Sequence, residues 1–215
     1  GMVSTIARVR GIPAECVLPG AGSSDLIFLA LREWLTASSR TLILDPTYGE
    51  YSHVLEQVVR CRVDRIELHR KDGYEIDLSE LESSFDTPYD LIVLVNPNSP
   101  TGSHVPRNEL EKVLERAPAR TRIWVDETYV EYAGPDQSFE RFASTSGNVV
   151  VCKSMSKVYA LIGLRAGYLT APPHIIDELR PLTPPWAVSL PAQVAAVAAL
   201  QDPEYYSGRY EQTHA

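Results

Sequence analysis

The densest chemistry in the sequence lies in Lys153-Ser154-Met155-Ser156-Lys157 and, soon after it, Gly163-Leu164-Arg165-Ala166-Gly167-Tyr168. A Ser-x-Ser-Lys loop brings hydroxyl donors and an amine together, and Arg165 adds a planar fork of donors suited to phosphate. By itself Lys157 reads equally as a solvated surface lysine. Upstream, Pro19-Gly20-Ala21-Gly22-Ser23-Ser24-Asp25 is a glycine-rich turn running into a helix. Free N–H groups and the helix dipole make such a turn a phosphate seat, although a plain turn with a cap has the same pattern. Asp45-Pro46-Thr47-Tyr48-Gly49 sets a tyrosine just past an apolar run, where its ring can stack on a flat ligand or simply lie on the surface. Asn96-Pro97-Asn98-Ser99-Pro100-Thr101-Gly102 forms a rigid, irregular loop through its prolines, asparagines and glycine. In Asp126-Glu127-Thr128-Tyr129, Asp126 directly follows the apolar run Arg122-Ile123-Trp124-Val125. A carboxylate there either caps the strand or faces a cation.

The elements that must position these groups alternate. Ser23-Ser24-Asp25 caps a helix carrying Leu26, Ile27, Ala30, Leu31 and Leu35. Further helices are expected from about Glu50 to Val59, from an Asp77 cap, over Pro106 to Ala117, near Ile175–Leu179 and over Pro191–Leu200. Thr41 to Leu44, Leu91 to Val95, Arg122 to Val125 and Val149 to Cys152 are short apolar runs of the kind covered on both faces. Arg62 to Leu68 and Arg165 to Thr170 complete the set of expected strands. The pattern predicts an α/β fold, with a mostly parallel central sheet flanked by helices on both faces. In such sheets ligands bind beyond the carboxyl ends of the strands, where the chemically suggestive loops fall.

Composition narrows the classes. The chain has 215 residues, 44% hydrophobic, enough for a substantial core. A formal net charge of -8 gives no overall field for nucleic acid or an anionic membrane, so neither is expected as a partner. Cys16, Cys61 and Cys152 are far apart with no CxxC, which argues against a disulfide scaffold or a metal site and for a reducing, cytoplasmic setting. No signal-peptide h-region is seen at the start, and Ala192 to Leu200 is too short to span a membrane.

Taken in order, the glycine-rich turn, Pro-Thr-Tyr, Asn-Pro-Asn-x-Pro-Thr-Gly, Asp-Glu-x-Tyr, Ser-x-Ser-Lys and Gly-Leu-Arg-x-Gly-Tyr resemble the fold-type I pyridoxal-phosphate (PLP) enzymes. Within them the sequence is most similar to the histidinol-phosphate aminotransferase group of class I/II aminotransferases, over Gly20 to Tyr168. The resemblance implies PLP as cofactor, held through its aldehyde by Lys157, which also carries a proton between substrate and cofactor. It implies Asp126 opposite the pyridine nitrogen, Tyr129 on the 3′ oxygen and Tyr48 on the ring face. The phosphate falls to Gly22, Ser23, Ser24, Ser154, Ser156 and Arg165. One position departs from the pattern: where the family usually has asparagine before Pro-Thr-Gly, this chain has Ser99, preceded by Asn98, and either is a candidate for the 3′ oxygen.

The implied activity is transfer of an amino group between an amino acid and a 2-oxo acid by a homodimer. Residues 1–215 are expected to be the PLP-binding large domain, without the C-terminal small domain and its carboxylate-binding arginine, so that turnover by the chain alone is poor. Two alternatives stay open: a lyase like the threonine-phosphate decarboxylases, and a truncated PLP-binding domain without turnover.

Overall fold

The computed structural model describes residues 1–214. Seven strands form one sheet: β1 (Val17–Gly20), β2 (Arg40–Asp45), β3 (Arg62–Glu67), β4 (Leu91–Val95), β5 (Arg122–Asp126), β6 (Val149–Ser154) and β7 (Gly167–Thr170), in the order β1-β7-β6-β5-β4-β2-β3. The pairs β2–β3, β2–β4, β4–β5 and β5–β6 are parallel, while β7 runs antiparallel to both β6 and β1. Strand β7 is thus the one reversed member of an otherwise parallel sheet.

The continuous apolar runs become central strands because both faces are covered. Every residue of β4 and β6 is buried. Alternation sends Leu91, Val93, Trp124 and Val150 to one face, against the helix Ser23–Trp34, the helical segment 49–59 and the helix Pro173–Leu179. Ile92, Leu94, Ile123, Val125 and Val151 go to the other, against Leu78–Ser84, Arg107–Leu114 and Glu140–Thr145. A third core under β1 and β7 joins Val17 and Tyr168 to the helices Met2–Arg10 and Leu190–Leu200.

The expected elements shift at their ends. Arg165 has φ 55, a left-handed conformation that no strand accommodates, so β7 begins at Gly167 rather than at Arg165. Pro106 is extended and sits at the N-cap, just outside its helix. That helix stops at Leu114 because its last turn tightens into i→i+3 bonds, such as Arg116 N–H to the Val113 carbonyl at 3.0 Å. The segment expected from about Glu50 to Val59 is α-helical only over Gly49–Ser52 and widens to a π-helix over His53–Val59. Strand β1 went unread because Pro19-Gly20 are poor strand formers; it forms as a sheet edge, where a proline is tolerated. Among the described residues no helix is long and apolar enough to cross a membrane.

Candidate active site

The parallel strands β1, β2, β4, β5 and β6 end at Gly20, Asp45, Val95, Asp126 and Ser154, so five loops leave the sheet along one edge. Strand β7 is reversed, so its first residue lies on the same edge, and Arg165 arrives there from the opposite direction. The topology therefore gathers residues from Ser23 to Lys157. Ser23, Tyr48, Ser99, Asp126, Tyr129, Ser154 and Lys157 line one cavity. A second cavity of 530 Å³ shares Ser99 and Tyr129 with it.

Asp126 is 2% exposed, the last residue of β5. Its Oδ1 accepts from the Thr128 backbone N–H (2.9 Å) and hydroxyl (2.6 Å), and its Oδ2 accepts from the Tyr51 hydroxyl (2.6 Å). Burial pushes the carboxyl pKa up, against the pull of the Thr128 and Tyr51 donors. Two phenols flank this group in the lining. Burial first, then the Glu50 carboxylate, pushes Tyr48 up to about 12. Burial and the Asp126 charge also raise Tyr129. Both phenols therefore stay protonated, and each hydroxyl remains a donor at neutral pH. The Lys157 side chain is exposed and, among the described residues, makes no hydrogen bond or ion pair.

The helix Ser23–Trp34 starts at Gly22 without a side-chain cap, which leaves its first N–H groups free to bind an anion. Gly22 has φ 90, and a Cβ there would lie 2.5 Å from Arg165 Nη2, so glycine is what lets the guanidinium reach the helix start. Arg165 also donates to the Ser156 hydroxyl at 3.3 Å, and the Ser154 hydroxyl accepts from the Ser156 N–H at 3.3 Å. A Cβ on Gly167 would meet the backbone of Gly22, Ser23 and Lys153 at 2.9 Å, so that glycine lets the turn close on β7.

Two candidates are used otherwise. Asn98 is a loop clamp: its amide donates to the Pro46 carbonyl (2.9 Å) and the Thr101 hydroxyl (3.0 Å), while its Oδ1 accepts from Thr47 (2.9 Å). With its donors spent between two loops, it leaves Ser99 to face the cavity. The Ser24 hydroxyl is given to Glu50 at 3.0 Å, so only its backbone N–H is left for an anion.

Sequence reasoning missed Tyr51 and a buried ionic cluster behind the site. Lys153 Nζ lies 3.3 Å from Glu127, 2.9 Å from Glu131 and 3.9 Å from Glu140. Arg10 reaches Glu131 (2.8 Å) and Glu140 (3.2 Å), and donates to Tyr159 and Tyr168. The signal was available: Lys153 and Glu127 directly adjoin buried strand residues, where a charge must find partners. Burial raises Glu127 to about 7 despite Lys153, with Glu140 adding to the effect. Burial also opposes the charges of Lys153 and Glu131, yet the lysine is raised by Glu131 and Glu127, and Glu131 is lowered by Lys153 and Arg10.

Residues 4–215 match the family profile described as Aminotransferase class I and II. The histidinol-phosphate aminotransferase of Staphylococcus epidermidis is 32% identical over 202 residues, which are 93% of this chain and 56% of that protein. The chain thus spans about half the length of the curated relatives it matches. The fold superposes on the histidinol-phosphate aminotransferase of Sinorhizobium meliloti in complex with pyridoxal-5'-phosphate, with TM-score 0.89 and 23% identity, covering 97% of this chain and 56% of that one. It superposes on the L-threonine-O-3-phosphate decarboxylase of Porphyromonas gingivalis with TM-score 0.79 and 24% identity, covering 94% and 61%. At these identities the two superpositions show the fold alone.

Proposed function

The chain belongs to the class I and II aminotransferases, and on that premise we propose that residues 1–215 are the PLP-binding large domain of a transaminase acting on an amino acid, histidinol phosphate among them, and a 2-oxo acid. The observation that carries this reading is one amine without a polar partner, Lys157, opening into the same cavity as the buried Asp126 carboxylate. The residues fit the cofactor: an uncapped helix start beside Arg165 for the phosphate, two protonated phenols, and a carboxylate with an acceptor position open. When bound, PLP supplies an aldehyde for the amine and a ring that withdraws electrons from the substrate Cα.

In this assignment Lys157 Nζ holds the cofactor and carries the proton to and from the substrate. Asp126 Oδ2 keeps a proton on the ring nitrogen. Tyr129 and Ser99 donate to the ring oxygen, and Tyr48 covers the ring. Ser23, Ser24, Ser154, Ser156 and Arg165 hold the phosphate, each charge-assisted bond contributing about 1.5–3 kcal/mol. These anchors would hold the cofactor independently of its link to Lys157. Residues 1–215 span about half the length of the relatives, and turnover by them alone is expected to be poor. The complete protein works as a homodimer in the cytoplasm. The exposed apolar side chains Trp186, Leu190 and Val194 support such pairing.

The experiment is visible absorbance of the protein after PLP is added and excess removed, beside Lys157→Ala. A retained band lost in the variant is the expected result. No band in either protein overturns the assignment. In the complete protein, release of CO2 in place of a 2-oxo acid would move the reading to a decarboxylase, a fold-mate of this chain.

A further inference from the structure

Tyr51 is completely buried on the helix Gly49–Ser52, three residues past Tyr48. Its hydroxyl accepts from Trp124 Nε1 at 2.7 Å and donates to Asp126 Oδ2 at 2.6 Å. Indole nitrogen can only donate, so the direction of this chain is fixed from Trp124 through Tyr51 to Asp126. Thr128 supplies two further donors to Oδ1. The carboxylate therefore receives three donors and keeps one acceptor direction on Oδ2, and the residue itself lines the cavity. A proton on Oδ2 would have to take its one open direction, and the three donors, Tyr51 fixed among them by Trp124, each hold the charged form more strongly than the neutral acid. Burial favours the neutral acid; this arrangement opposes it.

We infer that Tyr51 is a positioning residue for the cofactor ring: through Asp126 it fixes the direction and the charge of the carboxylate that meets the ring nitrogen. The inference rests on the PLP reading above. One short segment then supplies both the ring cover, Tyr48, and the clamp on the group at the ring's far atom, Tyr51; the two rings stand 6.1 Å apart at 80°. The other titratable groups facing Asp126 are Glu50 and Tyr48 on that segment, Tyr129 after β5, Cys152 on β6 and, across the cavity, Lys157.

The test is the PLP dissociation constant, measured by absorbance titration across pH for the wild type, Tyr51→Phe, Asp126→Asn and the double variant. Tyr51→Phe keeps the buried ring and removes the hydroxyl, both the donor to Asp126 Oδ2 and the acceptor for Trp124 Nε1. It should weaken PLP about tenfold at neutral pH, the scale of one charge-assisted hydrogen bond. It should also move the acid limb of the affinity profile to higher pH, because Asp126 then takes a proton more readily. In the Asp126→Asn background the same substitution should add nothing. A role confined to packing would leave the acid limb unmoved and the effects additive, and that result overturns the inference. If Tyr51→Phe does not fold, Trp124→Phe takes its place. It releases the constraint on the Tyr51 proton and should move the acid limb in the same direction by less; no movement counts against the inference. A wild type that retains no PLP would instead refute the functional reading itself.

Discussion

Lys153 and Lys157 are four residues apart, at and just past the end of β6, yet they have opposite surroundings. Lys153 is 2% exposed and has three carboxylates within 4 Å. The Lys157 side chain is exposed at the cavity and, among the described residues, makes no hydrogen bond or ion pair. The carboxylates divide in the same way: Asp126 lines the cavity, and its neighbour Glu127 belongs to the closed cluster. Reactivity here follows from unsatisfied valence rather than from residue type. The cluster holds two cations, Arg10 and Lys153, and three carboxylates, Glu127, Glu131 and Glu140. A proton retained on Glu127 makes the charges equal, which fits its raised pKa of about 7. One side of the sheet edge is closed and neutralised; the other keeps a free amine and an open acceptor.

The largest contrast should come from truncating the two lysines in parallel. Lys153→Met leaves carboxylates buried without their main cation and should destabilise the chain by about 3–5 kcal/mol in a denaturant titration. Lys157→Ala should change stability by no more than about 0.5 kcal/mol, as for exposed positions generally, while abolishing the retained visible band. Equal stability losses would erase the distinction between the two lysines.

Gly22→Ala sharpens the picture of the open side. Its φ of 90 and the 2.5 Å approach to Arg165 Nη2 imply a cost of about 1–3 kcal/mol and a displaced guanidinium. Thermal unfolding should report the first, and PLP affinity reduced several-fold the second. Unchanged affinity would remove Arg165 from the phosphate seat.

The smallest effect is a slope. Glu127 keeps its proton to about pH 7 in the folded chain but to about 4.5, its ordinary value, when unfolded. Between those values the folded state binds the extra proton, so stability should fall as pH rises. Glu131, held below its ordinary value, loses its contribution only at more acid pH and does not mask this window. Glu127→Gln should flatten the decline in urea titrations taken from pH 5 to 7. Burial lowers the His104 pKa and works in the opposite sense over the same range, so the difference between the two proteins is what reports Glu127; identical slopes in wild type and Glu127→Gln would show Glu127 to be charged throughout.

Much of the fold could be read from hydrophobic runs. Leu91–Val95 and Val149–Cys152 have no polar residue to turn outward, so burial on both faces followed directly. Local geometry was harder. The left-handed Arg165 and the widened helix at His53–Val59 depend on what packs against them. Within the site, the Ser-x-Ser-Lys loop, Asp126 and Arg165 were legible because each follows or precedes a strand at the ligand-binding edge. Asn98 and Ser99 could not be told apart by sequence because an amide in a rigid loop is equally able to face a ligand or to tie two loops together, and the positions of Pro46, Thr47 and Thr101 occupy the Asn98 amide.

The sequence by itself determined the alternation of helices with every strand but β1, and hence that an amine, a carboxylate, phenols and an anion seat follow strand ends at the ligand-binding edge. The tertiary structure decided which of two neighbouring charged residues faces the cavity. Successive strand residues point to opposite faces, and a buried charge is closed or open according to partners far along the chain. Arg10 meets Glu131 across 121 residues of sequence, and Tyr51 meets Asp126 across 75. No local pattern encodes those distances; the packing of the helices on the sheet sets them.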